Sequence, residues 1–144
     1  MILPPPPPIA SRPLASHATP ALALLAAHLP LHRVFRPVAQ ARPLHHLERG
    51  FWRIPRAGPP GPPGRACWDE ALFRRFWAFL RAFVREGRAG WGVWAVRDRL
   101  VVRLYGWGEL APVLYLLLYV ASERSVRRLG LQWCDASDSV VVQM

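Results

Sequence analysis

Apolar side chains recur at helical spacing between Asp69 and Glu86. Leu72, Phe73, Phe76, Trp77, Leu80, Phe83 and Val84 form one stripe, and Arg74, Arg75, Arg81 and Arg85 lie towards the other side. Asp69 and Glu70 sit where a helix N-terminus favours negative charge, and Gly87 can end the helix in a left-handed conformation. The pattern predicts a core-facing helix.

Upstream, Phe51 to Ile54 reads as a short strand that stops at Pro55. Downstream, Trp91 to Val96 and Leu100 to Trp107 flank Arg97-Asp98-Arg99 and predict a hairpin. With those three residues as the loop, one face shows Trp94, Val96, Leu100, Val102 and Leu104 and suits the core. The other shows Trp91, Val93, Ala95, Val101, Arg103, Tyr105 and Trp107. A slip of one residue on a single strand would exchange that strand's faces.

Glu109 to Leu129 predicts a second helix. Pro112 falls in its first turn, Arg124, Arg127 and Arg128 in its last turns, and Gly130 can cap it. Val113 to Val120 is apolar on every side and must be covered on every side, by the sheet and by either the leader or a second subunit. Leu131 to Asp135 and Val140 to Gln143 read as two last strands around a Ser137-Asp138-Ser139 turn. The expected fold is α+β: an antiparallel sheet of four to five strands with two helices on one face. Its order is the ferredoxin-like β-α-β-β-α-β plus a terminal strand.

Residues 1–47 differ in character from residues 48–144, the expected single α+β domain. Pro4 to Pro8 open a series of prolines, no acidic residue precedes Glu48, and Ala21 to Leu29 is too short to stand alone as a helix. The segment is expected to be a mostly disordered leader. A mitochondrial presequence is the sharper alternative, although its prolines spoil an amphipathic helix. Gly58 to Gly64, within a Gly/Pro stretch at 58–65, reads as a solvated loop. The longest apolar run, Leu110 to Ala121, is well short of the roughly 20 residues of a bilayer helix.

Charge changes the picture in one respect. A formal net charge of +10 over 144 residues suggests an anionic partner. All of the basicity is arginine, and the abundance of Ala, Arg, Gly, Pro and Trp also fits GC-rich codons. From Leu47 onward there is no histidine or lysine, the usual sources of general bases and metal ligands, so the reading leans away from an enzyme. No cofactor or metal is implied. A zinc site would need His45 and His46 beside the remote Cys67 and Cys134, a spacing that matches no standard pattern. Both cysteines, each next to a tryptophan, read as packed reduced thiols.

Three constellations are candidates for function. The first is an aromatic and basic sheet face of Trp91, Arg103, Tyr105 and Trp107, of the kind on which RNA-recognition modules stack bases. Leu100 to Trp107 lacks the Gly-aromatic-Gly-Phe spacing of their signature strand, and coverage of these rings by the leader or a partner competes with that reading. The second is the carboxylate pair Glu109 and Asp135, which also suit a helix start and a turn. The third is the glycine set around Gly87 to Gly92, which follows a helix and precedes a strand, the reverse of a phosphate loop.

Several phrases together carry a resemblance: Leu47 to Trp52, Gly87 to Trp94, Trp107-Gly108-Glu109, Leu117 to Ser122 and the tail Val140 to Met144. Over residues 47–144 the chain resembles a family of small proteins from filamentous ascomycete fungi with no assigned activity. The resemblance carries over no catalytic residue. It implies a fungal, intracellular protein, cytoplasmic or nuclear. The leading expectation for function is a non-enzymatic module for protein interaction or self-association. The alternatives are single-stranded nucleic-acid binding through the aromatic face, and a small enzyme of fungal secondary metabolism using Glu109 and Asp135.

Overall fold

The computed structural model describes residues 17–56 and 68–144. Four helices pack on one face of a six-stranded antiparallel sheet. The elements run α1 (Pro20–His28), α2 (Leu31–Val34), β1 (Ala39–Gln40), β2 (Arg49–Pro55), α3 (Glu70–Arg85), β3 (Trp94–Arg97), β4 (Val101–Trp107), α4 (Ala111–Ala121), β5 (Gln132–Asp135) and β6 (Val140–Gln143). The strands lie in the order β1-β6-β5-β2-β4-β3. The expected α+β class and antiparallel sheet hold, with one more strand and two more helices than the pattern indicated.

The extra elements come from the leader. Its described part, residues 17–47, was expected to lack stable structure; instead it supplies α1, α2 and the edge strand β1. Thr19 Oγ1 accepts a hydrogen bond from the Leu22 amide and caps α1, and Pro20 takes a first-turn position where no donor is needed. A nine-residue helix is marginal in water. What holds it is burial of Leu22, wholly inaccessible, together with Leu25, Ala26 and Leu29 on the core. α1 and α2 pack against α4 and cover the flank that the sheet leaves bare. The Pro4 to Pro8 run, the glycine-proline loop and Cys67 lie outside the described residues.

α3 forms as its periodicity predicts. Asp69 caps it by accepting from the Leu72 amide, Phe73, Phe76, Leu80 and Phe83 are buried, and Gly87 takes a φ of 76°. α4 is shorter than expected. It begins after a 3-10 turn (Gly108–Leu110) and ends at Ala121, with a second 3-10 turn at Ser125–Arg128. Glu123 and Arg124 adopt positive φ without a glycine. The buried Ser122 supports the break: its hydroxyl donates to the Tyr119 carbonyl and accepts from the Val126 amide. Trp52 Nε1 donates to the Ala111 carbonyl at 2.8 Å and ties the start of α4 to the centre of the sheet.

The hairpin is paired differently from the expectation. Trp94 faces Tyr105, Ala95 faces Leu104 and Val96 faces Arg103. Asp98 causes the offset. Its Oδ1 accepts from both the Leu100 and Val101 amides, which places Leu100 in the turn and starts β4 one residue later. The faces of β3 are thereby exchanged. Val93 and Ala95 turn towards the helices, while Trp94 and Val96 join Arg103 and Tyr105 on the far side.

Candidate functional site

Trp52, Ile54, Val102, Leu104, Trp133 and Val142 point into the helical layer and are buried. Apart from Val141, which joins the core beside an irregular stretch of the β5–β6 pairing, their neighbours in the strands point the other way, where no helix lies among the described residues. Antiparallel pairing arranges that open face in rows. One row across β3, β4, β2, β5 and β6 is Trp94, Tyr105, Phe51, Cys134 and Val140. The next row is Val96, Arg103, Arg53, Gln132 and Gln143, about 6.6 Å further along the strands (two residues at a rise of roughly 3.3 Å each). An aromatic row thus adjoins a row of hydrogen-bond donors.

The rings contact one another. Trp94 stacks on Tyr105 at 5.4 Å between centroids, and Phe51 lies 5.1 Å from Tyr105. Above them the Arg49 guanidinium lies 4.8 Å from the Trp94 ring and 4.5 Å from the Trp107 ring. Its Nη2 donates to the Gly92 carbonyl at 2.6 Å, while Nη1 is buried without an acceptor among the described residues. Burial pushes the Arg49 pKa down. Gly92 allows this closure: its φ is 82°, and a Cβ there would sit 2.7 Å from Trp107 Nε1.

Trp91 sits in the turn before β3. Its ring stacks on Trp107 at 5.5 Å, and its carbonyl accepts from Trp107 Nε1. It remains 80% exposed, and Trp94 is 48% exposed. On Trp107 the described leader adds one more ring, His17, at 4.4 Å; His17 Nδ1 also donates to the Glu109 carboxylate. Among the described residues the leader reaches these aromatics at Trp107.

The four expected face residues thus share one side of the sheet. Sequence reasoning left out Arg49, Phe51, Arg53, Trp94 and His17. Phe51 and Arg53 alternate in β2 with the buried Trp52 and Ile54, a period of two that runs of apolar residues obscured.

Glu109 and Asp135 are engaged by different bases. Glu109 is held by His17. Asp135 Oδ1 accepts from the Ser137 and Ser139 amides, and Oδ2 from Arg42 Nη2 at 3.3 Å. Arg42 also grips Glu48 with two bonds of 2.8 and 2.9 Å. The Ser139 amide, ahead of Arg42, pulls the Asp135 pKa down; Arg42 does the same for Glu48, and the Arg42 pKa is raised in return. These carboxylates are set in a structural network. Among the described residues no group of three or more His, Cys, Asp or Glu side chains could hold a metal ion. Burial pushes the Cys134 thiol up, so it stays protonated at neutral pH. No described helix is long and apolar enough to cross a membrane.

No family model, no curated protein and no solved structure matches the chain.

Proposed function

We propose that this chain is a non-enzymatic domain that binds single-stranded nucleic acid on its open sheet face. One observation carries the reading: the register sets the Trp94-Tyr105-Phe51 row beside the Arg103-Arg53-Gln132 row. Bases stack on the exposed Trp94 ring and the half-buried Tyr105, which the buried Phe51 backs, and guanidinium groups one row away meet the phosphates. The strand Arg103-Leu104-Tyr105-Gly106-Trp107 departs from the RNA-recognition signature, with Leu104 where that pattern has glycine and Trp107 in place of Phe, so the reading rests on the face and not on the motif. We also read residues 49–135 as a ferredoxin-like unit, supported by the strand order β5-β2-β4-β3 with α3 and α4 on one face. The expected intracellular location suits such a ligand.

The test is a fluorescence-anisotropy titration of a labelled single-stranded oligonucleotide at low salt. Binding should weaken as salt rises. Tyr105→Ala and Trp91→Ala should each weaken it about tenfold, on the scale of one lost base stack. Absence of binding at low salt would refute the proposal.

A second reading, a protein-interaction module, draws on the edge strand. Among the described residues β3 pairs only with β4, and it exposes Trp94 and Val96, so an extended peptide can add alongside it. Arg53 and Arg103 point to an acidic peptide, because two copies joined symmetrically through this face would oppose their own arginines. Light scattering across concentrations addresses self-association; a strict monomer removes it.

A further inference from the structure

The lower end of the open face holds a cleft of about 510 Å³, lined by Arg53, Arg103, Asp98, Leu100, Leu129 and Gln132 among others. We propose that this cleft receives the terminal phosphomonoester of a bound strand, an inference that rests on the nucleic-acid reading above.

Arg53 and Arg103 are paired across β2 and β4, an arrangement of like charges that is unfavourable without a counter-ion. The one carboxylate lining the cleft is Asp98, and it is committed. Oδ1 accepts from the Leu100 and Val101 amides at 2.8 and 2.9 Å, and Oδ2 accepts from Arg103 Nη1 at 3.2 Å. Asp98 therefore offsets Arg103 and leaves Arg53 with no ion pair among the described residues. Gln132, in register with Arg53, gives one amide hydrogen to Gln143 Oε1 and keeps a second.

The position of the cleft selects a terminal group. The aromatic row borders it on one side only. On the other side the pairing of β2 with β4 ends at Pro55 and Val101, and the Asp98–Leu100 turn and the Leu129–Gly130 segment form walls. Among the described residues these walls bound the face beyond the arginines, so a strand lying on the rings meets the arginines at that end. A phosphomonoester carries about −1.5 to −2 charges at neutral pH, more than the single charge of an internal diester, and offers three strong acceptor oxygens to the two guanidinium forks.

The experiment compares one oligonucleotide sequence in three forms: with a 5′-phosphate, with a 3′-phosphate and with both ends as hydroxyls, at matched ionic strength. One phosphorylated form should bind roughly tenfold tighter than the hydroxyl form, the scale of a charge-assisted contact. Arg53→Ala should bring that ratio to about one, whatever it does to absolute affinity. Inorganic phosphate should compete more strongly against the phosphorylated form. A ratio of one in the wild-type chain, with the hydroxyl form still bound, overturns the terminal-phosphate pocket and leaves the broader proposal standing. Loss of all oligonucleotide binding overturns both. Equal affinity for a phosphoserine peptide that lacks bases also overturns the pocket as a nucleic-acid subsite.

Discussion

An arginine wedged between two indoles loses water from both of its flat sides. Arg49 recovers part of that loss through the Gly92 carbonyl and through attraction to the Trp94 and Trp107 rings. The closure depends on the missing side chain at Gly92. Gly92→Ala combines a strained positive φ with a close contact to Trp107, so it should destabilise the fold by about 1–3 kcal/mol in a urea melt. Trp91 is the opposite case. It is exposed and contributes one ring contact, so Trp91→Ala should cost the fold under about 1.5 kcal/mol while weakening oligonucleotide binding about tenfold. A large loss of stability in Trp91→Ala would instead place that ring in the core.

At the scale of elements, the described part of the leader, residues 17–47, belongs to the fold. Leu22→Ala removes a wholly buried side chain between α1 and α4 and should lower unfolding free energy by about 2–5 kcal/mol in denaturant titration. A leader detached from the domain would give no effect. The leader's helices were hard to read because their reasons lie elsewhere in the chain: prolines argue against helix locally, whereas the bare flank of α4 argues for cover. α3 was legible because cap, stripe and terminating glycine agree. β2 and the last two strands were legible from short apolar runs between turn residues. The hairpin register was not, since Leu100 looks like a strand residue and only the Asp98 side chain, capping two amides, draws it into the turn. The end of α4 differs for a similar reason: Glu123 and Arg124 turn the chain with positive φ well before Gly130, the expected cap. The correct register then moved Trp94 onto the open face, so the site was half visible in sequence, with Arg103, Tyr105 and Trp107 in view and their cross-strand partners hidden.

For the whole molecule, charge sets two expectations. Asp98, Asp135 and Glu48 are all held below the ordinary carboxylate range, chiefly by the Leu100 amide, the Ser139 amide and Arg42 respectively. A carboxylate with a lower pKa folded than unfolded binds fewer protons when folded. It stabilises the fold above about pH 4, and the contribution is lost as pH falls through the folded values. Thermal stability should therefore drop on acidification below about pH 4, and Arg42→Ala should flatten that drop. The second expectation concerns the partner: with a net charge of +10, binding should fall steeply with salt, and Arg103→Ala should reduce the slope by roughly one phosphate contact.

The central claim is that the open face, and not the helical one, receives a single strand. The indole N–H resonances of a ¹⁵N-labelled sample report on it directly during titration with a single-stranded oligonucleotide. Those of Trp91, Trp94 and Trp107 should shift, while those of Trp52 and Trp133, buried beneath the helices, should stay in place. Unmoved signals from the first three at saturating oligonucleotide would contradict the account.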